Sequence, residues 1–363
     1  MNFKNFVIVG AGPIGLWTAI QINKRFPNSH ITIYEKYETY KRQHVLKIQH
    51  SSLFFGASKK NSQFDKDFFK QVFNLSIKNL KLTPFSKTFI STNTIESNLK
   101  DWTIKIGCNI IYKNIESLDE LIQNHHPETT FILANGSNSN LRKILLGDND
   151  IQKTDLQHIL ELKTMINKPM KDLKSVNANG SIKGKLNNLC FEYIGKSQTE
   201  TTPLNLRIFV TEELYNQIPE ATFKNPLNDY NMLPNSVKND LIKYSELHKI
   251  SIDELFKNGQ ITKLQLSVYH ALKFSEKYKN VNFFIAGDAA IGVPYFRALN
   301  SGFVLSSRLV SILKYSQNLD KAANLYNKYQ SIHTNAEETL AKTKNNGLNF
   351  YNQLRKMYRF IKN

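Results

Sequence analysis

The first apolar run, Phe6-Val7-Ile8-Val9, is short and uninterrupted, the pattern of a strand buried on both faces. Apolar residues then recur at Leu16, Ala19, Ile20 and Ile22, which is helical spacing. A second strand pattern, Ile31-Thr32-Ile33-Tyr34, follows. Phe64, Phe68, Phe69, Val72, Phe73 and Leu75 predict one or two helices; Ile95, Leu99, Trp102 and Ile106 predict another, capped by Gly107. Two more buried strands are expected over 109–112 and 130–134. From about Met165 to Lys273 the texture changes, with β-like runs at 189–194, 204–210 and 261–271 and a helical stretch around 234–248. A strand pattern at 281–286 precedes a helix through Leu305, Leu309 and Ile312. The C-terminal part reads as helical, with Ala322, Leu325, Tyr326 and Tyr329 as a buried stripe.

The turn between the first strand and helix is Gly10-x-Gly12-x-x-Gly15, and each glycine has its own physical reason. Gly10 permits a tight turn, Gly12 lets backbone amides approach a pyrophosphate, and Gly15 lets helix and strand pack closely. The second strand ends in Glu35, twenty residues after Gly15, where a dinucleotide fold places a carboxylate for the ribose hydroxyls. An ordinary glycine turn has no need of that acid. The alternation of strands and helices predicts an α/β fold with a Rossmann-like domain over 1–160 and 275–320. An inserted β-sheet substrate domain over 161–274 and a C-terminal helical segment over 321–363 complete it.

Composition narrows the setting. At 363 residues and 41% hydrophobic, with 23 Phe and 16 Tyr, there is ample material for a core, and no apolar run is long enough to cross a membrane. Gly10, Gly12 and Pro13 interrupt the one N-terminal stretch that resembles a signal peptide. Cys108 and Cys190 are too few for a disulfide framework, so a reducing cytoplasmic location is expected. The net charge of +18 fits a polyanionic partner, although Lys, Asn and Ile are abundant throughout. The tail Arg355-Lys356-Met357-Tyr358-Arg359-Phe360-Ile361-Lys362 is basic and aromatic together. It suits weak contact with an anionic membrane or nucleic acid; alternatively Phe350, Leu354, Met357 and Phe360 dock a last helix on the body.

Three separated stretches together resemble the FAD-dependent monooxygenases of the aromatic-hydroxylase type. They are the glycine turn with Glu35, then Ala134-Asn135-Gly136-x-x-Ser139-x-x-Arg142, and Gly287-Asp288 followed by Pro294 and Asn300-Ser301-Gly302. Within that superfamily, Glu35-Lys36 and Arg42-x-x-Val45-Leu46-x-Ile48 are similar to MICAL-type flavin modules, as is the stretch from Ile90 to Gly107. The resemblance implies that FAD is held by Gly10, Ala11, Gly12, Pro13, Ile14, Gly15, Glu35, Lys36 and Arg42. It extends the set to Asn135, Gly136, Gly287, Asp288, Pro294, Asn300, Ser301 and Gly302. Asp288 then meets the ribityl chain, and the following helix directs its N-terminus at the flavin edge where reduced flavin is negative. Arg42 and Arg297 are the catalytic candidates.

The departures are specific. Asn135 stands where the family has Asp and Ile291 where it has His; Tyr295-Phe296-Arg297-Ala298-Leu299 replaces a longer, glycine-rich loop. By the resemblance, NAD(P)H (NADPH or NADH) reduces FAD and O₂ supplies the oxygen. The substrate is then a small apolar or aromatic molecule, or a protein side chain such as methionine, for which the basic surface suits an acidic protein. Phe191, Tyr193, Tyr269 and His270 are candidates to face substrate, although sheet packing is the more ordinary reading of each. Two other readings stay open: a flavin reductase or H₂O₂-producing oxidase, and a binding or regulatory protein that keeps the fold without turnover.

Overall fold

The opening apolar run forms β1 (Asn5–Val9), buried from Phe6 onward, and α1 (Pro13–Arg25) leaves from its end. The computed structural model describes residues 4–39, 45–54, 62–76, 86–169, 172–173, 186–195, 200–294 and 297–362. After β2 (His30–Glu35) come β3 (Val45–Gln49), α2 (His50–Phe54), α3 (Gln63–Phe73), β4 (Lys87–Ser91) and α4 (Thr92–Lys105). β5 (Asn109–Tyr112), α5 (Leu118–Gln123), β6 (Thr130–Leu133) and α6 (Asn140–Leu146) follow. The middle of the chain supplies β7 (Ile151–Ile166), β8 (Leu189–Ile194), β9 (Thr202–Val210), α7 (Glu212–Gln217), α8 (Asn235–His248), α9 (Ile252–Lys257) and β10 (Gln260–Ala271). Last are β11 (Ser275–Tyr278), β12 (Val281–Ile285), β13 (Ile291–Gly292), α10 (Ala298–Tyr315) and α11 (Leu319–Lys362). Two compact units result, Met1–Thr154 with Val268–Thr339, and Asp155–Ser267 with Leu340–Asn363.

The first unit is built on a sheet ordered β11-β12-β6-β1-β2-β5. All neighbours in it are parallel except β11, which runs antiparallel to β12. β2 and β5 lie on one side of β1, β6 and β12 on the other, so the direction of winding reverses at β1. Ligands of such sheets bind where the order reverses, at the carboxyl ends of the strands. β3 and β4 form a separate antiparallel ribbon. Packing around α1 is aromatic: Trp17, fully buried, lies 4.7 Å from Phe303 of α10 and 5.7 Å from Phe68 of α3 between ring centroids. Its indole N–H donates to Ser307 Oγ at 2.9 Å, which removes the cost of burying that donor. Lys24 of α1 also pairs with the buried Asp65 of α3.

In the second unit, β7, β9 and β8 pair antiparallel in the order β7-β9-β8. Leu160, Leu162, Leu204, Leu206 and Ile208 share one face and pack with Val237, Leu241 and Tyr244 of α8. That face carries a buried polar knot, in which Glu192 accepts from Tyr244 Oη at 2.7 Å and lies 2.8 Å from His248 Nε2. The turn before β8 is held from two helices. Asp240 accepts from the amides of Asn187 and Asn188, and Arg355 donates to the carbonyls of Leu186 and Asn187.

Several elements differ from the sequence expectation. The helix expected from Ile90 starts at Thr92, because Ile90 and Ser91 complete β4, an element hidden in a stretch with helical texture. β7 begins at Ile151, well before Met165, because its first half is polar on both faces and leaves no alternation to read. Leu325 is exposed, whereas its expected companions Ala322 and Tyr326 are buried. Phe350, Leu354 and Met357 do not dock: they face solvent, since the buried side of this helix carries Ala341 and Arg355 instead.

Candidate cofactor site

β1 ends at Gly10, which adopts a φ of 110° that other residues take only under strain. A Cβ there would lie 2.4 Å from the carbonyl oxygen of Ala134, so the exits of β1 and β6 are in contact. Gly15 is required by the same closeness, since its Cβ would meet Gly10 O at 1.9 Å. Gly12 is different: among the described residues no atom lies within 4 Å of the point its Cβ would occupy, leaving a cradle in front of α1. Gly12 caps that helix without a side chain, Pro13 stands at its first position, and its first turn holds no acid. The first-turn N–H groups, which have no partner inside the helix, and the positive end of its dipole lie beside that cradle. These residues fit the diphosphate of a dinucleotide.

Glu35, at the end of β2, braces this turn. Its carboxylate accepts from Ala11 N at 2.7 Å and from Tyr37 N at 3.0 Å. A carboxylate has about four acceptor sites, so capacity remains for a ribose hydroxyl. Lys36 instead places its ammonium 4.6 Å over the ring of Tyr37.

The third motif closes on the same helix end, and the second reaches the turn through the contact of Ala134 with Gly10. A Cβ on Gly287, which has a φ of 62°, would lie 3.0 Å from Ile14 Cβ, and one on Gly302 would lie 2.5 Å from Ile14 Cδ1. The Gly287-Asp288 turn and the first turn of α10 thus sit against the first turn of α1, with Asp288 half-buried beside them. Arg142, fully buried, ties these loops together. It donates through Nε to Asp150 at 2.5 Å, and through its terminal nitrogens to Ala289 O at 2.9 Å and Ser137 O at 3.1 Å. Asn135 accepts from Ser139 Oγ at 2.7 Å, and Ser139 in turn caps α6, so the Asn is built into the loop where the family has an acid. Gly136 beside it has a φ of 89°.

Tyr269 contributes from β10: its hydroxyl donates to Asp288 O at 2.9 Å and its ring lies across Gly292, where a Cβ would come within 2.0 Å. Burial, reinforced by the charge of Asp288, pushes the phenol well up, which keeps it a protonated donor.

Other expected site residues are engaged with the protein itself. Arg297 forks onto Glu337 of α11 with two bonds of 2.7 Å, and Ser301 Oγ donates to the same carboxylate at 3.2 Å. Those hydrogen bonds hold the guanidinium pKa above its ordinary value. The Asn300 amide accepts from Gln49 N and Ser52 Oγ and donates to Lys47 O, fastening β3 and α2 to α10. Pro294 follows β13 in the loop toward α10. His270 lies 4.0 Å from Glu338, and Tyr193, exposed in the second unit, carries the Arg207 guanidinium 5.3 Å from its ring centre. Phe191 packs edge-on against Phe209. Arg42 lies outside the described residues. Sequence reasoning missed Asp150 and Glu337. Neither carries a local signal, apart from the helical spacing of His333 to Glu337.

No family model matches the chain, and no curated protein does. Solved structures resemble it over almost its whole length. One is the tetrameric form of 2-methyl-3-hydroxypyridine-5-carboxylic acid oxygenase, with a TM-score of 0.59 and 13% identity over 96% of this chain and 92% of that one. Another is CtdE in complex with FAD, with a TM-score of 0.56 and 11% identity over 97% and 99%. A third is PyrE3, a Diels-Alderase of the pyrroindomycin pathway, with a TM-score of 0.61 and 13% identity over 98% and 77%. The fold is that of the FAD-binding monooxygenases. At such identities the likeness concerns the fold alone, and a Diels-Alderase among the three illustrates how many chemistries one fold can host.

Proposed function

We propose that this chain is an FAD-dependent monooxygenase that uses NAD(P)H and O₂ to oxidise an organic molecule or a protein side chain. The observation that carries the reading is the meeting of three distant motifs around the turn from Gly10 to Gly15, beside the open side of Gly12. The α1 amides would hold the diphosphate, Glu35 a ribose hydroxyl and Asp288 the ribityl chain. When bound, FAD would supply the redox chemistry that links a nicotinamide to O₂. Arg142 and Tyr269 act as positioning residues: by holding Ala289 O and Asp288 O they fix the turn that presents the Asp288 carboxylate. The MICAL-like stretch from Glu35 to Ile48 favours a protein side chain such as methionine as substrate, and the charge of +18 suits an acidic protein carrying it in the cytoplasm.

The engagement of Arg297 with Glu337 and of Asn300 with β3 and α2 favours a second reading, a chain that binds FAD without turnover. Anaerobic mixing of FAD-saturated protein with NADPH separates the two. Bleaching of the flavin band near ~450 nm, slowed strongly by Asp288→Ala or Arg42→Ala, supports the enzyme. Bound FAD that never bleaches supports the second reading, and failure to bind FAD removes both. NADPH consumption in air that yields only H₂O₂ identifies an oxidase.

A further inference from the structure

The last part of α11 carries an apolar face that is exposed among the described residues. Leu340 is 45% exposed, Phe350 62%, Leu354 47% and Met357 61%, values that large apolar side chains seldom combine on one helix. At ~100° per residue the four fall within an arc of roughly 100°, so they form one stripe rather than scattered exposures. Exposed Lys342 and Lys344 flank the stripe on opposite sides, each roughly 50° beyond its edge, and exposed Lys356 lies farther round. Between residue 340 and the end of the chain there are six Lys and Arg and no Asp or Glu. The opposite side of the helix is anchored, with Ala341 buried and Arg355 bonded to Leu186 O and Asn187 O at 2.6 Å each. The stripe is therefore held outward on a fixed helix.

We infer that this segment docks the protein on an anionic lipid surface, the apolar stripe entering the headgroup boundary and the flanking lysines meeting lipid phosphates. Charge selects this occupant. A second copy of the same helix would bring like charges together around the stripe, whereas an anionic bilayer neutralises them and buries the apolar side chains in one step. The docking is independent of the flavin chemistry proposed above.

The test is co-sedimentation of the full-length protein with phosphatidylglycerol–phosphatidylcholine vesicles and with pure phosphatidylcholine vesicles. Expected is binding to the anionic vesicles alone. It should be abolished in F350Q/L354Q/M357Q and weakened on the order of 100-fold in K342Q/K344Q/K356Q, about fivefold per lysine. All six positions are exposed, so unchanged melting temperatures will verify that both variants fold. Absence of binding, or equal binding to both vesicles, overturns the inference. So does binding that survives the apolar substitutions, which is general polyanion attraction. A dimer that dissociates in F350Q/L354Q/M357Q, without vesicle binding, gives the face to a second copy instead.

Discussion

Replacing Arg142 by Met tests whether one buried guanidinium organises the cofactor loops. The substitution keeps much of the side-chain volume and removes three hydrogen bonds, to Asp150, Ala289 O and Ser137 O. It also strands Asp150, whose side chain is 4% exposed, without the cation it faces. Breaking a buried pair by deleting one partner costs about 3–5 kcal/mol, and the carbonyls lose partners as well. That is a large part of the total stability of an ordinary domain, about 5–15 kcal/mol. Urea unfolding of the protein should therefore show R142M destabilised by about 4 kcal/mol. The double variant R142M/D150L, which removes the stranded charge, should recover about 2 kcal/mol of it.

A loss under about 1 kcal/mol, or a double variant no more stable than R142M, would refute the assigned role of the buried pair.

Three further outcomes follow from the same geometry. Gly12→Val should leave stability within about 1 kcal/mol, because its Cβ has open space, yet lower FAD affinity by about 100-fold in a fluorescence titration; Gly15→Val should fail to fold stably because its Cβ would meet Gly10 O. Glu337→Gln should cost about 1–2 kcal/mol in thermal unfolding by weakening the fork that Arg297 makes on it, and unchanged stability would dissociate that pair from the fold. Burial pushes the Cys108 thiol up to about 12 and Cys190 higher still, so neither should react with a disulfide reagent at pH ~8 until guanidinium unfolds the chain, when both should.

The sequence by itself determined the elements whose requirements are local. A tight left-handed turn and a backbone contact under 3 Å demand glycine at Gly10 and Gly15, and the close approach of a diphosphate favours it at Gly12, so the three announce the turn from the local sequence. Buried parallel strands such as β1 and β6 are apolar throughout because both faces are covered, and that too is written in consecutive residues.

What only the tertiary structure decided are pairings between residues far apart. Arg142 with Ala289, Arg297 with Glu337 and Asn300 with Lys47 bring together polar groups whose partners no spacing foretells, because desolvation is settled by whichever acceptor the fold delivers. Helical periodicity likewise marks an apolar stripe on α11 but not what covers it. Ala322 and Tyr326 became core while Phe350, Leu354 and Met357 stayed in solvent, because burial depends on the neighbouring surface and not on the helix alone.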